Sequence, residues 1–171
     1  MTPLDGTRPC TSVERSQWVA HMLQNRETGA WLMAHYRQGA ALTREVLGSA
    51  EQIGQLTSFF KSIDNVVSAE HTARSRFTLR ETLNLWQSSE RQGNRDASGR
   101  LRKARSFQAL FQSPASNPIV TIAQFTDGRV VVDGNHTAIS ALMCAADQEL
   151  DTALNLPVYV LTVPSSMEAL G

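Results

Sequence analysis

Along the first third of the chain the large side chains recur at helical spacing. Val13, Trp18, Val19, Met22, Leu23, Trp31, Leu32, His35 and Tyr36 fall at intervals that place them on shared helix faces between Ser12 and about Arg37. Thr11 and Glu14 form a capping-box pair at the start, and Gly29 is placed to divide the run into two helices. Ser49 and Gln52 make a second capping box, followed by Ile53, Leu56, Phe60 and Ile63, which predicts an amphipathic helix. Residues 64 to 76 lose that period and read as a connector. Leu79, Leu83 and Trp86 predict a further helix, and RQGNRDASGR at 91 to 100 reads as an exposed loop because of its glycines and arginines.

From Leu101 onward the rhythm changes. Phe107, Leu110 and Phe111 mark a short helix that Ser113-Pro114 stops, Ile119 to Phe125 reads as a strand, and Thr126-Asp127-Gly128 is a hairpin turn signal. The returning segment, Val130 to Val132, is a β-branched run that suits a strand buried on both faces, closed by Asp133-Gly134. Ala138, Ile139, Ala141, Leu142 and Ala145 then supply one helical stripe from about His136 to Asp147, with Asn135 at the N-cap position, and VYVLTV at 158 to 163 is the last strand. Hairpin, turn, helix and strand in this order predict an α+β fold, a small mixed β-sheet flanked by helices with a helical N-terminal extension. The division expected is a helical part over 1–70 and an α+β domain over 71–171.

A chain of 171 residues with 42% hydrophobic content can bury a core. No apolar stretch approaches the roughly 20 residues that span a bilayer, and MTPLDGTRPC lacks a signal-peptide pattern, so the expected location is cytoplasmic without membrane association. Residues 1–10 read as a tail. Cys10 and Cys144 lie far apart in unlike settings and lack zinc-ligand spacing, so neither a disulfide framework nor a zinc site is indicated. His21 and His35 have no carboxylate or cysteine at ligand spacing and read as structural.

The net charge is zero, but its distribution is uneven. Residues 71–105 hold 9 basic and 3 acidic side chains, for a net of +6, whereas residues 1–70 hold 6 and 7 and residues 106–171 hold 1 and 6. The basic block suits an anionic partner, either DNA or a nucleotide polyphosphate, and equally suits a solvated helix face paired with the acidic end of the chain. For DNA the candidate contacts are Arg91, Arg95, Arg100, Arg102, Lys103 and Arg105.

A tight strand-to-helix turn aims backbone N–H groups and the positive end of a helix dipole at one point, where a phosphate is stabilised. The segments SFQALFQS, NPIVTI, DGNHT and LPVYVLTV follow one another in the order of the ParB/sulfiredoxin superfamily, which the last 65 or so residues resemble. In that superfamily the turn binds ATP phosphates. The resemblance implies that Gly134, Asn135, Thr137 and the intervening His136 contact the nucleotide, that Asp133 and His136 act in catalysis, that Asp133 holds Mg²⁺, and that Arg102, Lys103 or Arg105 assists. Two positions depart from the family pattern: Thr137 replaces the arginine after the histidine, and Asn135 stands where sulfiredoxins have cysteine. The helix-turn-helix segment that the partition proteins carry after this fold is not expected here. Size and architecture are similar to the plasmid fertility-inhibition, oncogenic-suppression branch, which implies ATPase and DNase activity and an encounter with a protein of a DNA-transfer system. The competing expectation is a non-catalytic interaction module with a degenerate nucleotide site, whose helical N-terminal part binds a protein; a separate structural alternative makes Asp133-Gly134 a simple turn.

Overall fold

A computed structural model describes residues 7–25, 28–58, 77–108, 118–147 and 155–167. In chain order the elements are β1 (Arg8–Pro9), α1 (Ser12–Gln24), α2 (Gly29–Arg37), β2 (Leu42–Leu47), α3 (Ala50–Gly54), β3 (Thr57–Ser58), α4 (Leu79–Arg91), α5 (Arg95–Ser106), β4 (Thr121–Phe125), β5 (Gly128–Asp133), α6 (Asn135–Asp147) and β6 (Leu156–Thr162). The strands form one mixed sheet in the order β1-β2-β6-β4-β5-β3, in which β4 runs parallel to β6 and antiparallel to β5. The fold is α+β, as the pattern predicts.

The sheet is covered on both faces. Val130 and Val132 of β5 join one apolar cluster with Trp18, Met22 and Leu32 from α1 and α2, whereas Val131 between them joins Leu83, Trp86, Leu101 and Ile139 from α4, α5 and α6. Side chains alternate across a strand, so an unbroken β-branched run fits only a strand with helices above and below it. Among the described residues no helix is long and apolar enough to cross a membrane.

Helix α1 is fixed to the sheet by polar bonds as well as by packing. The Trp18 indole donates to Thr121 Oγ1 at 3.0 Å, and the Tyr159 hydroxyl donates to the Glu14 carbonyl at 3.2 Å. Glu14 completes the capping box with Thr11 and accepts from Arg8 and Arg44. The Arg8 hydrogen bonds hold its carboxyl down to about 2. The α1–α2 corner requires Gly29, because a Cβ there would lie 2.1 Å from the Met22 carbonyl oxygen.

Several expectations give way to tertiary contacts. The helix expected after Ser49 is five residues long; Leu56 lies beyond it, and Phe60 and Ile63 fall outside the described residues. The chain leaves the helix to place Thr57 and Ser58 parallel to Val130 and Val131, while Ser58 N–H donates to the Phe77 carbonyl. Open backbone groups on the outer edge of β5 outweigh a continuing helical pattern there. The loop expected at 91–100 is mostly helix: Gly93 at φ 85° turns the chain, the Asn94 side chain caps α5 by accepting from Ala97 N–H, and Ala97, Leu101 and Ala104 are buried along one face. Small alanines carry that stripe, which hides it among the arginines.

The expected tail contains β1, paired with β2, and a buried Cys10, so it is partly built into the sheet. Among the described residues the first 58 positions thus hold α1, α2 and the short α3, and also β1, β2 and β3, which their helical pattern conceals. Phe107 caps α5, while Leu110, Phe111 and the connector at 64–76 lie outside the described residues. The predicted hairpin is present, with Phe125 opposite Gly128.

Candidate functional site

β5 ends at Asp133, and Gly134 turns the chain directly into α6 at φ +84°. A Cβ on Gly134 would lie 2.9 Å from the Ile119 carbonyl oxygen and 3.0 Å from Val120 Cα, so conformation and space both demand glycine. Asn135 is the first residue of α6 and not its cap. Its Nδ2 donates to the Val131 carbonyl at 2.9 Å, which ties the turn back onto the strand it leaves.

Around this turn opens a cleft of about 600 Å³. The sheet supplies Ile119, Val132 and Asp133; α6 and its turn supply Gly134, Asn135, His136 and Thr137; α5 supplies Arg100 and Lys103; α1 and the following corner supply His21, Asn25 and Thr28. The cleft therefore lies beyond the carboxyl end of β5, where the two helical layers meet, and its size suits a nucleotide-sized ligand.

The α5 wall is cationic. Arg100 and Lys103, three residues apart, face the cleft from one side of the helix. Of the three basic residues expected to assist, Lys103 lines the cleft, Arg105 pairs with Glu90 at 3.2 Å, and Arg102 is exposed outside the lining. Arg100, which the sequence offered only as a DNA contact, joins Lys103 there.

His136 is half-buried. Its ring stacks on Trp86 with centroids 5.6 Å apart, and the Arg100 guanidinium lies 5.7 Å from the Trp86 centroid. Burial pushes the imidazole down to about 4, and the positive charges of Lys103 and Arg100 add to the shift. The ring is consequently neutral at pH 7. It can donate one N–H to a ligand, but it does not exchange protons in the neutral range.

On the opposite wall the structure brings together residues 112 positions apart. His21 Nε2 lies 2.7 Å from Asp133 Oδ2, and Asn25 Nδ2 donates to Asp133 Oδ1 at 2.8 Å. Local spacing shows no partner for His21, because the carboxylate it meets is distant in sequence and is brought to it by the fold. The available signal was that His21 and Asn25 are polar residues four apart on the edge of a buried helix face that carries Trp18 and Met22.

Asp133 is the residue expected to hold magnesium, a metal commonly bound by one or two carboxylates together with phosphate oxygens and water. Among the described residues Asp133 is the one carboxylate lining the cleft, and its two oxygens are hydrogen-bonded to His21 of α1 and to Asn25 just beyond that helix. Among the described residues no group of three or more His, Cys, Asp or Glu side chains could hold a metal ion. Thr137 is buried at the cleft wall.

Comparison with family models, with curated proteins and with solved structures finds no match to this chain.

Proposed function

We propose that this cleft binds the phosphates of a nucleoside triphosphate and that the protein hydrolyses it, with ATP the nucleotide suggested by the ParB/sulfiredoxin resemblance. The observation that carries the reading is the convergence of Arg100 and Lys103 on the Gly134-turned start of the 13-residue helix α6, across a cleft of about 600 Å³. Backbone N–H groups at a helix start and two cations on the facing wall are complementary to a polyphosphate. His136 acts there as a neutral donor, and Thr137 supplies a hydroxyl where the family has arginine. No step is assigned to Mg²⁺ at Asp133.

Calorimetry with a non-hydrolysable ATP analogue tests the reading. Arg100→Ala and Lys103→Ala should each weaken binding by about 10- to 100-fold, the range for one charge-assisted hydrogen bond, while the fold persists. Unchanged affinity in both variants would remove the α5 wall from the site.

A second reading has its own observation. Arg91, Arg95 and Arg102 are exposed on α4 and α5 outside the cleft lining, which leaves a cationic surface for DNA after Arg100 and Lys103 are committed to the nucleotide. DNA affinity through that surface should fall with salt at a log-log slope of roughly 0.9 per neutralised phosphate. DNA cleavage, and inhibition of conjugative or T-DNA transfer through a protein of the transfer system, are the roles that the resemblance adds to this reading.

A further inference from the structure

We infer that His21, held by Asp133 across the cleft from the basic wall, accepts the proton of the water that attacks the bound nucleotide. The inference rests on the reading of the cleft as a nucleoside triphosphate site and adds to it the residue that handles the proton. A carboxylate can only accept, so the 2.7 Å bond to Asp133 calls for the proton on His21 Nε2, and in a neutral imidazole that arrangement makes Nδ1 the acceptor nitrogen. Nδ1 makes no hydrogen bond among the described residues, and the side chain is 38% exposed and lines the cleft.

A base needs reach, a fixed tautomer and a lone pair, and the side chains of the cleft divide those requirements unequally. His136 sits within the DGNHT turn but is stacked on Trp86 and surrounded by cations. Asp133 has both oxygens engaged. His21 alone among the lining residues combines an unengaged ring nitrogen with a carboxylate that orients it. Asn25, by donating to the other oxygen of Asp133, fixes the carboxylate in turn. Asp133 and Asn25 are positioning residues in this arrangement.

The step balances with water alone. The water oxygen bonds to the terminal phosphorus as the bond from phosphorus to the bridging oxygen breaks, and the nucleoside diphosphate leaves with that electron pair. The water proton passes to His21 Nδ1 and from there to solvent, so neither oxidant nor reductant is involved.

The test uses the full-length wild type with His21→Ala and His21→Gln, all purified in one way. His21→Gln retains a side-chain N–H toward Asp133, so it keeps α1 docked while removing the proton acceptor. Both variants should release phosphate from ATP about 10²- to 10⁴-fold more slowly than wild type, with affinity for the non-hydrolysable analogue held within about threefold. Added imidazole should restore part of the turnover of His21→Ala, an effect that a purely structural role would not give. Phosphate release at the wild-type rate in either variant would overturn the inference, as would a wild type that binds the analogue but turns over no ATP. In both cases nucleotide binding would stand. A wild type that fails to bind the analogue would overturn the binding reading and this inference together.

Discussion

The two walls of the cleft each present a histidine, and their surroundings give them opposite chemistry. His136 belongs to the strand-turn-helix unit, yet Trp86 covers its ring, and burial with Lys103 and Arg100 nearby holds it neutral. His21 belongs to a helix on the other face of the sheet and is bonded to a carboxylate from that same turn. The comparison teaches that membership of a motif does not assign a role. Desolvation and the nearest charge do so, and both are set by which helical layer packs against the turn.

The largest effect expected is at the hinge between the walls. Gly134→Val would place a Cβ against the Ile119 carbonyl in a backbone conformation that L residues rarely adopt. It should cost about 3 kcal/mol or more, read by denaturant unfolding. Lost nucleotide binding in that variant would report misfolding first, which makes it a poor probe of the phosphate site. A variant as stable as wild type would show that the turn does not bind the two walls together.

The next effect separates the histidines by pH. The His136 imidazole is held at about 4 when folded, against an ordinary value of 6.5. Between those values the unfolded chain binds the extra proton, so this contribution is complete above pH 6.5 and is lost as the pH falls toward 4. The difference corresponds to about 3.4 kcal/mol, which solvent screening at the exposed part of the ring reduces to about 2–3 kcal/mol. Stability measured at intervals across that window should fall more steeply for wild type than for His136→Gln. Parallel curves would mean that the ring is not desolvated in solution.

Asp133→Asn should have a smaller effect, about 1–2 kcal/mol, because it weakens the bonds to His21 and Asn25 while leaving the turn in place. Faster hydrogen exchange should then be confined to α1 and spare α6. Equal loosening of both helices would make Asp133 a support of the turn as a whole.

Much of this architecture is local in origin and so is visible in the chain. The Thr11–Glu14 capping box, the Thr126-Asp127 hairpin and the Val130–Val132 strand are set by residues within a few positions of one another. Helix α5 was hidden because its buried stripe is Ala97, Leu101 and Ala104, and alanine carries little hydrophobic contrast. The truncation of α3 was hidden because the competing partner, the edge of β5, lies more than 70 residues away. The site divides in the same way. Asp133, Gly134, Asn135, His136 and Thr137 are contiguous and could be named together, whereas His21 and Asn25 reach Asp133 only through the packing of Trp18 against the sheet. The basic residue in the cleft could not be chosen from sequence, because the helix phase that selects Arg100 and Lys103 over Arg102 and Arg105 depends on where α5 begins.

The claim that both walls face one nucleotide is tested most directly by following the histidine ring resonances by NMR as a non-hydrolysable ATP analogue is added. His35 packs against Trp31 outside the cleft lining and serves as the internal reference. The account predicts that His21 and His136 shift together along a single saturating curve while His35 stays in place. Movement of neither His21 nor His136 up to millimolar analogue, or equal movement of all three, would contradict it.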